Sequence, residues 1–397
     1  MTNDLMQHFH INGTGLGNLA ATFFCAYLVV QLFVGPLLDK YNPRLLTALA
    51  LLVSGVGAFW FAESQTLFEA SIARGLVGVG AAFATVSYMK MAAVWFEPRQ
   101  FAFVGGLLAT AAMIGSMAGQ LPLAYLVSSV GWQSALLYCG LLGLALSSSY
   151  YLVVRNKTPD PTIPATKTIT LDSPTLKNCL SLLKKKHNWL LMFYSGLAFS
   201  PLAVFGGLWG NPFLQEDFHL TKSGAASLVT CAFMGLALGA PLLGFLSDRL
   251  GKRFGVMLFG LLLSFFSLAL AVYLPAISVW LEGFLLFLFG FGTGAFMLGF
   301  AMGKEMNAVG LAASVIALIN TGDAVFGAFS EPLAGKVLDL FWDGKVVNGV
   351  HYFSLHDYHL ALLMLPAYLL LAIVFLSFLK RPRKVKNPDA VFVTASD

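Results

Sequence analysis

Apolar runs of about 20 residues, separated by short polar turns, recur along the whole chain, and each is long enough to cross roughly 30 Å of hydrocarbon as a helix. They lie near 17–38, 45–62, 67–95, 102–127 and 131–154, and again near 188–209, 224–246, 254–274, 278–303, 310–337 and 358–379. Between the two sets runs a polar linker from Arg155 to His187, with several prolines and the triplet Lys184, Lys185 and Lys186. Residues 1–16 hold no Lys or Arg and are too polar to insert or to act as a signal peptide. The pattern predicts an all-α polytopic membrane protein of eleven spans. It divides into a five-span bundle (1–154), a linker (155–187), a six-span bundle (188–380) and a basic tail (381–397).

Composition closes the soluble alternative. The 397 residues are 58% hydrophobic and 11% charged, against about 25% charged in a soluble domain. The bases set an orientation. Alternate loops and the tail hold 19 of the 24 Lys and Arg, whereas the loops on the other side hold Lys222, Lys336 and Lys345. The base-rich side is expected to face the cytoplasm, which puts the N-terminus outside and the C-terminus inside a plasma (inner) membrane. Spread over loops in this way, the bases form no nucleic-acid footprint. Cys25, Cys139 and Cys231 lie in apolar runs and Cys179 in the linker, a pattern that supports neither a disulfide framework nor a zinc site.

One charged turn occurs twice, 209 residues apart. The first copy carries Gly35, Asp39, Lys40 and Arg44; the second carries Gly244, Asp248, Arg249 and Arg253. Together with the basic central linker and the six-span second half, this repeat resembles the major facilitator superfamily over essentially the whole chain. The resemblance implies twelve helices in two bundles of six, with substrate bound between them near the midplane and alternating access by rocking. It also implies that the repeated loops latch the cytoplasmic side, with Asp39 and Asp248 near a helix N-terminus of the other half and Arg44 and Arg253 as their partners. The alternative is that these charges only fix topology. In the first copy Asn42 and Pro43 replace the family's Gly-Arg; Asn tolerates a left-handed turn, so the turn is expected to persist. The family places this loop after its second helix, and here it follows the first span. The family's first helix is therefore expected to be missing from this sequence, as when a translation start is placed too late.

Few charges lie inside the spans, and these are the candidates for chemistry. Arg74, followed by Gly78 and Gly80, is similar to the family's Arg-x-x-x-Gly-x-Gly motif. An arginine at that depth turns to a partner or a cavity; it binds an anionic group or tunes a proton site, or else pairs with Glu69 or snorkels outward. Lys90 lies nearer the cytoplasmic end and snorkels more easily. Asn320 and Asp323 fall near the middle of their span, and Glu331 follows eight residues later. An unpaired carboxylate at mid-membrane depth is costly when charged and tends to take up a proton. Asp323 is therefore a candidate coupling site, the alternative being a buried pair with Arg74 or Lys90. Glu282 lies in the second half nearly where Arg74 lies in the first. Tyr27 and Gln31 share a helix face and are candidates to line the cavity; Trp209 and Asn211 close another span, where a lone Trp is usually interfacial. Gly106, Gly115 and Gly119 follow the spacing of the family's antiporter motif, but Gln120 stands where its proline belongs, which argues against drug/proton exchange.

No nucleotide-binding loop, metal cluster or nucleophile elbow occurs, so neither an enzyme nor a cofactor is expected. The expectation is a monomeric secondary transporter of a small polar or charged organic solute, coupled to protons through Asp323. Uncoupled dipeptide or amino-acid transport, export of a carboxylate metabolite bound by Arg74, and a non-transporting sensor are the alternatives. The stretch Gly327 to Gly335, with Asp339, Tyr358 and Pro366, resembles a bacterial group related to lysosomal dipeptide transporters.

Overall fold

A computed structural model describes residues 2–95, 108, 110–155, 182–275, 278–307, 312–347 and 349–379. The first half comprises a short α1 (Thr2–Phe9), then α2 (Gly13–Lys40), α3 (Pro43–Glu63) and α4 (Leu67–Trp95). A further span, Thr110–Val130, ends in α5 (Leu121–Val130) and is followed by α6 (Trp132–Val153). In the second half, α7 (Lys186–Val204) passes through a π turn at Phe205–Trp209 into α8 (Gly210–Phe218). Then come α9 (Lys222–Leu250), α10 (Arg253–Tyr273) and α11 (Val279–Thr293), which continues through a 3₁₀ turn, Gly294–Phe296, into α12 (Met297–Glu305). The long α13 (Ala312–Phe341) leads through a small hairpin to α14 (Leu355–Leu362) and α15 (Met364–Ser377).

Ten of these segments are long and apolar enough to cross a membrane, among the described residues. The eleventh, α13, carries Asp323, Glu331, Lys336 and Asp339. Polar caps at the turns set where helices start. The side chains of Asn12, Thr221 and Ser278 accept from Gly15, Gly224 and Leu281, and Ser354 forms a capping box with Asp357. The hairpin pairs Val346 with His351 and Val347 with Val350, and no periodicity in the sequence announces so short a pairing. Beside it, the Glu216 carboxylate accepts the Tyr352 hydroxyl and holds that phenol up to about 12.

The two charged loops are shorter than expected. α2 runs to Lys40 and α9 to Leu250, so only Tyr41–Asn42 and Gly251–Lys252 lie between helices. The copies solve the same turn differently. Gly251 adopts a left-handed φ of 59°, whereas Asn42, at the equivalent position, keeps φ at −61° and caps α3 by accepting from Arg44 at 3.0 Å. The left-handed Asn42 expected from the sequence is not what forms.

Within the first half α3 packs against α4 and α6, and α2 against α4; within the second, α9 and α10 flank α11, and α7 lies between α13 and α15. The halves meet where α2 runs along α13 and where α5 meets α9. Glycines allow the close crossings. A Cβ on Gly290 would collide with the Ala232 carbonyl, and one on Gly235 with that of Phe287. Gly290→Val is therefore expected to wedge α11 from α9 and destabilise the protein by about 1–3 kcal/mol, seen as a lower midpoint of thermal unfolding in detergent. An unchanged midpoint would contradict this packing.

Candidate functional site

The junction of α2, α4 and α13 encloses an open cavity of about 710 Å³. α2 contributes Asn18, Thr22 and Cys25, α4 contributes Ser71 and Gly75, and α13 contributes Ala328 and Pro332. Arg74 and Glu331 are the sequence neighbours of Gly75 and Pro332, but neither they nor Tyr27, Gln31, Asn320 and Asp323 are among the residues that line this cavity. Arg74 and Glu331 act on one another as opposite charges across the two halves, with no hydrogen bond between them among the described residues. Among the described residues, Arg74 is half-buried with its Nε sealed and unpartnered, and Glu331 is buried with its Oε2 likewise unpartnered.

Chain path explains how Glu331 reaches that position. Pro332 follows it within the continuous helix α13, and the π turn between α7 and α8 brings Gly207 beside the carboxylate. Trp209 Nε1 donates to the Glu331 carbonyl at 3.4 Å. The Trp209 side chain is fully buried in the core, so the interfacial role expected for it fails. Asn211 accepts from Gln215 at 2.7 Å and belongs to a helix-end network, not to the cavity lining.

A second polar group lies two to three turns back along α13, at Asn320 and Asp323. Ser195 of α7 donates to Asp323 at 2.9 Å, and Asn320 donates to the Tyr27 hydroxyl at 3.5 Å from the other half. Asp323 also acts on Tyr27 electrostatically. Gln31, one turn along α2 from Tyr27, has its Oε1 buried without a partner among the described residues. The structure thus brings Tyr27, Asn320 and Asp323 together, and Arg74 and Glu331 together.

Several expected pairings do not form. Glu69 caps α4 by accepting from the backbone of Gln65 at 2.9 Å and Thr66 at 3.2 Å, so it is not the partner of Arg74. Arg74 is set against Glu331, not Asp323, and Glu282 lies near Asp217, not Arg74. The side chains of Gly35, Asp39 and Lys90 lie outside the described residues, as does Gly106.

At the charged loops, Arg44 lies over the Tyr151 ring at 4.4 Å and donates through Nε to the Tyr151 carbonyl at 2.8 Å. Arg253 pairs with Asp248 at 3.0 Å and with Glu305 at 2.5 Å, while Gly244 has open space around it and Arg249 is exposed. These arginines bind within their own halves. Residues 96–107 and 308–311 lie outside the described residues.

Sequence reasoning missed the serines. Ser200 and Ser330 lie 3.1 Å apart, and Ser330 also meets the Tyr368 hydroxyl at 3.2 Å, beside Glu331. Gln120 has a structural reason: its Nε2 donates to the Gly206 carbonyl in the π turn at 2.6 Å, joining the halves.

Comparison with known proteins agrees with this architecture. The sequence model of the Major Facilitator Superfamily matches residues 1–211 and 191–394. The chain belongs to the major facilitator superfamily. Among other members, it is 23% identical over 258 residues to the "Probable L-galactonate transporter" of Escherichia coli (strain K12), covering 62% of this chain and 56% of that protein. It is 26% identical over 255 residues to the "Hexuronate transporter" of Bacillus subtilis (strain 168), covering 61% and 58%. The chain therefore spans little more than half the length of these relatives. A bacterial homologue of the human lysosomal transporter Spinster, in an inward-facing and unoccupied conformation, shares the superfamily fold with a TM-score of 0.78 at 15% identity, over 94% of this chain and 91% of that one.

Proposed function

We propose that this superfamily member is a secondary transporter of a small organic anion, a carboxylate of the sugar-acid class, bound between the halves and released by alternating access. The observation that carries this reading is the set of sealed, unpartnered polar atoms around the junction: Gln31 Oε1, Arg74 Nε and Glu331 Oε2. Buried polar groups are nearly always hydrogen-bonded, so a polar ligand entering here gains bonds that the empty protein lacks. Arg74 supplies the cation, with a planar fork suited to a carboxylate. Two relatives named for sugar acids, galactonate and hexuronate, support the same class.

Asp323 is the group assigned to proton coupling, because it is a half-buried carboxylate at mid-span depth held by one hydroxyl donor, Ser195. The Tyr27–Asn320 contact ties its neighbourhood to the other half, so a change in its charge is felt across the junction. The base-rich loops are assigned to the cytoplasmic side of the membrane.

Uptake of labelled hexuronate and galactonate into proteoliposomes, with and without an inward pH gradient, tests the reading. Saturable uptake competed by either acid but not by an uncharged hexose is the expected result. The opposition of Arg74 and Glu331 favours a second reading, a zwitterion such as an amino acid or dipeptide, with its ammonium on Glu331. Dipeptide uptake that hexuronates fail to compete would select it and overturn the first.

A further inference from the structure

The polar contacts that join the two halves gather toward the base-poor end of the bundle, and one of them is built as a clasp. The N-terminus of a helix presents unbonded N–H groups and the positive end of its dipole. At the start of α2, the Asp339 carboxylate accepts from the Gly13 N–H at 2.9 Å, the Thr14 N–H at 2.6 Å and the Thr14 hydroxyl at 2.6 Å. Asn12 supplies only the next bond, to Gly15 at 2.9 Å. Helix α2 of the first half is thus capped from α13 of the second, 325 residues away.

The surroundings fix this arrangement. His351 Nδ1 lies 3.5 Å from Asp339, and its ring stacks on Trp342 at 3.7 Å and 10°. Below the clasp the backbones touch: a Cβ on Gly335 would strike the Gly13 carbonyl, and one on Gly17 the Glu331 carbonyl. At the same end Lys222 pairs with Asp4 at 2.7 Å. Burial is the largest single influence and raises the Asp4 carboxyl, but the positive charges of Lys222 and the N-terminal amine together hold it below the usual carboxylate range.

We infer that Asp339 and the N-terminus of α2 form a latch that holds the base-poor end of the protein shut, and that this end opens only when the capping bonds break. Separation of α2 from α13 strips Asp339 of three donors and leaves two helix N–H groups bare in one step. The contact is therefore made or lost as a unit. α13 carries Glu331 and Asp339 eight residues apart, about 12 Å along the helix, so the element that holds the latch also lines the candidate site. The inference does not depend on what is carried, because the latch would hold the halves together in a transporter of any solute and in a sensor alike.

Electron spin resonance distances on the full chain in nanodiscs test it. One label pair sits at Gln65→Cys and Val347→Cys on the base-poor end, the other at Leu152→Cys and Leu250→Cys on the opposite end; all four positions are exposed. Asp339→Ala is expected to raise the ratio of long to short Gln65–Val347 distances about tenfold or more, as three charge-assisted bonds are lost, and to shorten the Leu152–Leu250 distances. Thr14→Val, which removes one donor and keeps the cap, should shift both distributions the same way by about threefold. A shift in Thr14→Val alone supports the latch even if Asp339→Ala does not fold. An unchanged Gln65–Val347 distribution in Thr14→Val and in any folded Asp339→Ala protein overturns it.

Discussion

Arg74→Met will weaken the apparent affinity for the carried anion by about ten- to a hundredfold, and the double variant Arg74→Met/Glu331→Gln will fold normally yet show the same loss. The two effects separate because Arg74 has two partners in the argument. Within the protein Glu331 acts on it as an opposite charge without a hydrogen bond between them among the described residues. Removing the guanidinium alone takes an opposite charge away from the buried Glu331 side chain, whereas the double variant removes both groups and leaves neither buried against a missing partner. The transient partner of Arg74 is the substrate. A hydrogen bond to a charged group is worth about 1.5–3 kcal/mol, which corresponds to roughly one to two powers of ten in affinity. Arg74→Lys keeps the charge but loses the planar fork, so its apparent affinity should fall by about tenfold while transport survives. Thermal unfolding reports the first effect and uptake kinetics the second. A folded Arg74→Met protein that transports a sugar acid with native affinity would remove the anion-binding assignment.

The spans could be found in the sequence because lipid demands an uninterrupted apolar run. What each span packs against could not, for the same reason. Hydrocarbon and protein core are equally apolar, so a buried helix and a lipid-facing one read alike. Lys186–Phe218 has 78% of its apolar stretch buried, while Thr110–Val130 has 6%. Trp209 shows the consequence. Its position near the predicted end of a span suggested the interface, but the π turn carries the helix on through α8 and turns the indole into the core. Nothing local in Phe205–Trp209 marks an inserted residue in the turn.

The site was legible one residue at a time. A charge inside a span is rare, so Arg74, Asp323 and Glu331 could be singled out from the sequence alone. Their pairing is a matter of helix rotation and tilt. The sequence offered Glu69 or Asp323 to Arg74, and packing of α13 between α2 and the π turn presents Glu331 instead. Ser195 and Ser330 escaped notice because serine in a helix commonly bonds its own backbone, as Ser71 does to Leu67. Only the third dimension shows that Ser195 meets Asp323. Asp339 could be noted in the sequence only as part of a resemblance, because its partner is a helix start 325 residues earlier.

Asp323→Asn is expected to convert gradient-driven accumulation into simple equilibration. Asparagine preserves the shape and can still accept from Ser195, which donates to Asp323 at 2.9 Å, but it cannot exchange a proton. A pH difference of one unit stores about 1.4 kcal/mol per proton, enough for roughly tenfold accumulation. Wild-type proteoliposomes under that gradient should approach this ratio for one coupled proton, and the variant should settle near equal concentrations on both sides. Exchange of labelled for unlabelled substrate needs no net proton movement, so the variant should retain it at near wild-type rate, which separates lost coupling from lost binding. Glu331→Gln provides the contrast. Because Glu331 acts electrostatically on Arg74, its loss should alter affinity before it alters accumulation. If Asp323→Asn still accumulates substrate tenfold while Glu331→Gln does not, the coupling group is Glu331 and the assignment of Asp323 fails.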